Sequence, residues 1–353
     1  MIIKRHILRA TASWWVTVCL LLSVDAVAQS NFFEGKTVTM IATTAPGGTG
    51  DLRAKAMLPF LRKHIPGNPT IVIEYMDGGA GRKGANHLYR SVRPDGLTLG
   101  AVSGAIIGLA IMREEGVSYD LDKFTYLGTP ESENHYVIYS RKELGLTSAE
   151  KLRAASGIRI GAQSVGHVSY VAGRLFAYFL NLKEPKFIAG YTSREADAAL
   201  LNGELDARAN NATSVLRRNL DWFEKGTMNF HAIMEIPKGE KHTRLAHLPE
   251  VESLAKSERE IRLIAVWRAF RAVGSPYVLP PGTPKERVEI FEEAMRKIFK
   301  DPEFGPSFRK TVGDDASPMG PAELTKLIAE IPRDAETMEL LKKMSGPGPL
   351  PAR

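Results

Sequence analysis

The stretch Val38-Thr39-Met40-Ile41-Ala42-Thr43-Thr44-Ala45-Pro46-Gly47-Gly48-Thr49-Gly50-Asp51 sets the reading of the whole chain. Val38 to Ala42 is a β-rich run of one strand's length. Ala45-Pro46-Gly47-Gly48 is turn chemistry, and Asp51 to His64 follows with helical character. Working outward, Ile71-Val72-Ile73-Glu74-Tyr75 is a second strand. Glycines 78, 79, 81 and 84 precede a helix through Asn86 to Arg90, and Pro94-Asp95-Gly96 turns the chain into a third strand, 97–102. Strand-helix-strand-helix-strand marks an α/β layer on a largely parallel sheet, with right-handed crossovers and ligand sites at the carboxyl ends of the strands.

A second round starts near residue 134. Runs 135–140, 158–161, 186–189 and 205–210 read as strands. Thr147-Ser148-Ala149-Glu150 caps a short helix, and helices cover about 168–181, 195–201 and 214–224. Then come Leu263-Ile264-Ala265-Val266-Trp267, a Pro-rich loop at 279–284, and a helix from Lys285 to Lys300 with Val288, Phe291, Ala294, Met295 and Ile298 at helical spacing. Further helices cross 321–344. Two α/β rounds without a long linker predict two lobes, 31–133 plus 265–344 and 134–264, with a small-molecule site in a cleft. The tail 345–353 is too rich in Gly and Pro to be expected to pack.

Residues 1–28 read as an export leader. Lys4, Arg5 and Arg9 precede a charge-free run from Ala10 to Val24, short for a membrane span, and Ala26-Val27-Ala28 forms a cleavage signature before Gln29. Removing 28 of 353 residues leaves 325, with 44 basic against 39 acidic side chains. The single cysteine, Cys19, falls inside the leader, which excludes a disulfide framework and multi-cysteine metal sites. No Lys/Arg cluster with interleaved aromatics points to nucleic acid.

Few motifs carry chemistry. Gly79-Ala80-Gly81-Arg82-Lys83-Gly84 fits a dinucleotide fingerprint but lacks the acidic residue about 20 positions on, so it reads as a glycine-rich turn. Gly161-Ala162-Gln163-Ser164-Val165-Gly166 is one residue too long for a nucleophile elbow, and an exported serine hydrolase using Ser164 is the competing reading. His242 and His247 read as solvated loop residues; no metal and no cofactor is expected.

Two glycine turns that open helices stand out: Pro46, Gly47, Gly48, Thr49 and Asp51, and Ser164, Gly166, His167 and Ser169. Glycine lets the backbone come close to a ligand, and a helix N-terminus offers free N–H donors with partial positive charge. Such a pair would hold a carboxylate without any arginine. Each turn taken alone reads first as a plain βα connection. By the strand-end rule Ser103 and Gly104, and Tyr191 and Thr192, join the candidate pocket. Asp206 either orients a ligand amine or fixes the hinge region.

The order and spacing of short motifs from about Lys36 to about Ile331 resemble the solute-binding receptors of tripartite tricarboxylate transporters, the Bug-type receptors. The marks are Ala45-Pro46-Gly47-Gly48 with Asp51, the 78–84 turn, Pro94-Asp95-Gly96-Leu97-Thr98-Leu99, Tyr119-Asp120 with Phe124, Gly161 to Ser169, Tyr191, Leu201-Asn202-Gly203-Glu204-Leu205-Asp206, Leu248-Pro249-Glu250-Val251, Pro280-Pro281-Gly282-Thr283-Pro284 and Asp301-Pro302-Glu303-Phe304. The resemblance implies a two-lobed type 2 periplasmic-binding-protein fold (a clamshell), periplasmic location, a monomer, a small organic carboxylate as ligand and membrane transporter subunits as partners. It implies binding rather than catalysis, with the two turns holding carboxylate ends partly through water. A sensory receptor of the same fold fits the same marks. Two departures bear on specificity. Thr43 and Thr44 stand where the family often has an aromatic residue, which would enrich the pocket in hydroxyls. Tyr75-Met76-Asp77-Gly78-Gly79-Ala80-Gly81 replaces the usual Asn-x-Pro-Gly-Ala-Gly-Gly.

Overall fold

A computed structural model describes residues 32–353. The expected leader, 1–28, and Cys19 lie outside the described residues. In chain order the first elements are β1 (Thr37–Ala42), α1 (Thr49–His64), β2 (Thr70–Tyr75), α2 (Arg82–Arg90), β3 (Thr98–Ala101), α3 (Ala105–Ile111), β4 (Thr125–Gly128) and β5 (Tyr136–Arg141). Next come α4 (Ala149–Ala154), β6 (Arg159–Ala162), α5 (Val168–Leu180), β7 (Lys186–Ala189), α6 (Ser193–Leu201), β8 (Ala207–Asn211), α7 (Ala212–Arg218), α8 (Leu220–Glu224) and β9 (Met228–Met234). The chain finishes with α9 (Glu258–Ala272), β10 (Tyr277–Leu279), α10 (Lys285–Lys300), α11 (Phe304–Val312), α12 (Pro321–Ala329) and α13 (Ala335–Ser345).

Two five-stranded sheets result, ordered β2-β1-β3-β10-β4 and β7-β6-β8-β5-β9. The orders match when β6, β7 and β8 take the places of β1, β2 and β3. In each, three parallel strands are followed by one inserted antiparallel strand, β10 or β5. The parallel strands follow the sequence reading closely. Three strands, β4, β9 and β10, were not anticipated. The apolar run Leu263–Trp267 is interior to α9, where Leu263, Ile264, Val266 and Trp267 are buried.

The chain divides into two compact units. The first holds the described residues up to Ser103, Ser118–Gly128 and Tyr277–Val312. The second holds Gly104–Val117, Thr129–Pro276 and Gly313–Arg353. The units are bounded differently from the expected lobes: α3, α12, α13 and the part of α9 after residue 264 lie with the second unit rather than the first. Packing supplies the reason, since α13 lies against both α9 and α5.

Helix α5 is apolar on nearly all sides, and twelve of its thirteen residues are buried, as suits a helix covered on every face. Arg174 in its middle is 1 % exposed. Its guanidinium donates to the carbonyls of Met344 (3.0 Å), Lys343 (3.1 Å) and Pro349 (3.3 Å), at the end of α13 and in the tail. The tail, expected not to pack, is tied down by these bonds. Arg353 donates to both carboxylate oxygens of buried Glu260, at 2.7 and 2.8 Å, and to the Phe179 carbonyl at 2.7 Å, and its guanidinium lies over the Tyr178 and Phe179 rings.

Candidate functional site

In the first unit, Ala42, Tyr75 and Ala101 end the three parallel strands in register. The turn after β1 is exposed from Ala45 to Thr49 and opens α1, with Gly48 as extended N-cap. Gly47 has φ +77°, the left-handed region that favours glycine. Asp51, in the first helical turn, is fully buried and accepts from the Gly47 N–H (2.7 Å), Lys55 Nζ (2.7 Å) and Tyr75 Oη (2.6 Å). Burial alone would raise its pKa; the bonds from Lys55, Tyr75 and Gly47 outweigh it and hold the carboxyl below its usual value. Asp51 is therefore a clamp on the turn. The Gly47 N–H is committed to it, and the Gly48 N–H to the Ala45 carbonyl. The N–H groups of Thr49 and Gly50, first and second in the helix, have no acceptor among the described residues.

Thr43 does not offer its hydroxyl to a pocket as expected. Thr43 is 2 % exposed, and its Oγ1 accepts from the Ser103 N–H at 2.8 Å, pinning the ends of β1 and β3 together. Thr44 lies over Gly50, where an added Cβ would come within 2.5 Å of its Oγ1. Tyr75, one of the departures from the family pattern, is the residue that reaches Asp51.

In the second unit the equivalent turn follows β6 and opens α5. Gln163 to Gly166 are exposed, and Gly166 has φ +77°. Here a neutral pair does the clamping. The His167 Nδ1 accepts from the Ser169 N–H at 3.2 Å and lies 3.0 Å from the Ser169 Oγ, which also accepts from the Gln163 N–H at 3.4 Å. The neutral ring thus carries its proton on Nε2. Burial lowers the His167 pKa, and the charges of Arg271 and Arg208 lower it further. The N–H groups of Gly166 and Val168 have no acceptor among the described residues. The bonded nitrogen of His167 meets Ser169, not Ser164.

The remaining predicted residues separate. Tyr191 and Thr192 follow β7 at the same sheet end: the Tyr191 N–H donates to the Ala162 carbonyl, and Thr192 caps α6 in a reciprocal capping box with Glu195. Gly104 approaches the Gly274 carbonyl so closely that an added Cβ would lie 2.4 Å from it, so its small size serves backbone packing. The division between the two units falls between Ser103 and Gly104. For Asp206 the geometry favours the structural one of its two readings over the ligand-orienting one. It precedes β8 and lies beside Arg159, the first residue of the parallel strand β6, at the amino end of the sheet. There it accepts from the Arg159 backbone N–H (3.0 Å), Nε (2.8 Å) and Nη2 (2.7 Å), and from Arg141 at 3.4 Å. A carboxylate so held, at the wrong end of the strands, orients no ligand. Unforeseen at the right end is Asn210 near the end of β8, whose Nδ2 is buried with no acceptor.

A groove of about 660 Å³ lies elsewhere in the first unit, lined by Lys63, His64, Arg296, Lys300 and Asp301. It sits at the carboxyl end of α1, a 16-residue helix of about 24 Å that starts at the glycine turn. Lys63 and His64 are paired there with Asp301, at 2.8 and 2.9 Å. These bonds hold the carboxyl below its usual range. Cations are ordinary at helix C-termini, and this groove is not the candidate site.

The paired sheets, with three parallel strands and one inserted antiparallel strand in each unit, give the chain the fold of the periplasmic solute-binding proteins. Among solved structures that share it are the periplasmic binding protein BugD (19 % identity, 88 % of this chain and 98 % of that one, TM-score 0.57). A TctC solute-binding protein from Polaromonas gives 15 % identity, the same coverage and a TM-score of 0.64. MatC from Rhodopseudomonas palustris, solved with bound malate, gives 18 % identity, 89 % and 100 % coverage, and a TM-score of 0.54. No protein-family model matches the chain, and no curated protein matches it in sequence. The likeness is one of fold.

Proposed function

We propose that this protein is a periplasmic receptor that captures a small organic carboxylate and delivers it to the membrane subunits of a tripartite tricarboxylate-type transporter. One observation carries the reading. In topologically equivalent places, at the carboxyl ends of parallel strands, each unit presents an exposed glycine turn that opens a helix of 13 or 16 residues with N–H donors left over. Such an end binds an anion through backbone dipoles, and needs no nucleophile or metal. MatC, which shares the fold, holds malate.

A thermal-shift screen against mono-, di- and tricarboxylates tests the class of ligand. An acid at 100 times its dissociation constant adds about 2.7 kcal/mol of stability; if no acid moves the midpoint, the proposal fails. Paired prolines test the turns. Thr49→Pro and Val168→Pro each remove one N–H at the first helical position, where proline is well tolerated. The residues before them, Gly48 (φ −78°, ψ 170°) and His167 (φ −64°, ψ 150°), are already extended, as a following proline requires. Each variant should keep its midpoint without ligand and lose about five- to tenfold in affinity by calorimetry. Unchanged affinity would make that turn a plain connector.

A further inference from the structure

The second unit contains an arginine whose charge is not neutralised. Arg268, on α9, is fully engaged: it donates to the Glu235 carbonyl at 2.8 Å and to the carboxylates of Glu250 and Glu252. Arg271, one turn later, has no carboxylate partner among the described residues. Its guanidinium lies over the Trp267 ring, 5.9 Å from the centroid, and its Nε is shut off from water without an acceptor. Trp267 is 5 % exposed, and its Nε1 is likewise buried without an acceptor. Residues 267 and 271 share one helix face. A buried donor gains from an acceptor, and this helix face carries two donors without one beside an unneutralised guanidinium.

The neighbours locate that place. The Trp267 ring meets Tyr136 edge-on at 6.1 Å, and Tyr136 pairs with Asn211 at the carboxyl end of β8. The Arg271 carbonyl accepts from the Gly274 N–H, and the Gly274 carbonyl from the Gly104 N–H. Arg271, on the same helix face as Trp267, therefore stands toward the site end of the second sheet, where β8 finishes.

We infer that Arg271, backed by Trp267, binds an anionic group of the ligand at the site end of the second sheet and makes the receptor selective for acids with at least two carboxylates. The inference rests on the receptor reading and deepens it. Backbone amides complement one carboxylate with partial charges only. A planar guanidinium adds a full charge and two parallel donors that match carboxylate geometry, which calls for a second negative group. The carboxylate grip expected without any arginine thus acquires one.

The test is calorimetric titration of wild type, Arg271→Ala and Arg271→Lys with malonate, succinate, malate, adipate and citrate, and with the monocarboxylates acetate, butyrate and hexanoate. Wild type should prefer a di- or tricarboxylate. Arg271→Ala should lose about 10- to 100-fold in affinity for it. Arg271→Lys should recover part of the loss, and the weak binding of monocarboxylates should not move. Equal affinity of wild type and Arg271→Ala for a dicarboxylate overturns the inference and leaves the receptor reading intact, as does a wild type that prefers monocarboxylates. Binding of no acid by wild type overturns the receptor reading itself and this assignment with it. Unchanged thermal midpoints without ligand show that the variants fold.

Discussion

The two glycine turns occupy the same place in two sheets of the same order, yet they are fastened by opposite chemistry. The first is held by a buried carboxylate, Asp51, with Lys55, Tyr75 and a backbone amide around it. The second is held by an imidazole and a hydroxyl, His167 and Ser169, both neutral. The difference matters for an anionic ligand. A carboxylate clamp places a negative charge in the first turn of α1, and its donors must offset that charge before the helix end attracts an anion. The neutral clamp adds no such charge, and Arg271 and Arg208 lie within electrostatic reach of it. The second turn thus carries no negative charge of its own, where the first carries Asp51.

Acidification should separate the units most. His135 and His231 in the second unit are buried, and burial holds both near a pKa of about 4. An unfolded chain titrates its histidines near 6.5, so it binds more protons between pH 6.5 and 4. The contribution of each histidine is complete above pH 6.5 and is lost as pH falls through 4, on the order of 3 kcal/mol apiece. His167 and His242 shift the same way, again chiefly through burial. In the first unit Asp51 has a lowered pKa, so its contribution holds until pH falls through the carboxylate range. Hydrogen exchange at pH 7 and pH 5 should show protection lost in the second unit and kept in the first. Equal loss in both would break the comparison.

A smaller effect comes from the clamps themselves. Asp51→Ala strands the Tyr75 hydroxyl and the Gly47 amide and should cost about 2 kcal/mol in denaturant unfolding. Ser169→Ala removes only neutral bonds and should cost about 1 kcal/mol. A Ser169 variant as costly as the Asp51 variant would mean that the second turn is not the looser one.

Much of the frame was legible because it is local. Pro46-Gly47-Gly48 ahead of Asp51 marks the start of α1, and β7 was read at its observed bounds, Lys186–Ala189. What escaped depends on residues far apart in sequence. Tyr277-Val278-Leu279 is three residues long and becomes a strand only by lying between β3 and β4. Asp206 sits beside a predicted strand, but which end faces the site depends on its pairing with Arg159. Thr43 has the sequence position of a pocket residue, but its hydroxyl accepts from the Ser103 amide, 60 positions away. Arg271 is separated from the second glycine turn by about a hundred residues in sequence, and no motif joins them.

The helix that offers its amino end in the second turn is held at its other end by Arg353, whose guanidinium takes the Phe179 carbonyl and the Glu260 carboxylate. Arg174 grips the same tail from the middle of α5. An affinity tag or surface tether joined after Arg353 would therefore pull on the helix being assayed. Biosensor work on this protein should be anchored through an exposed side chain of the first unit instead, such as Lys285 on α10.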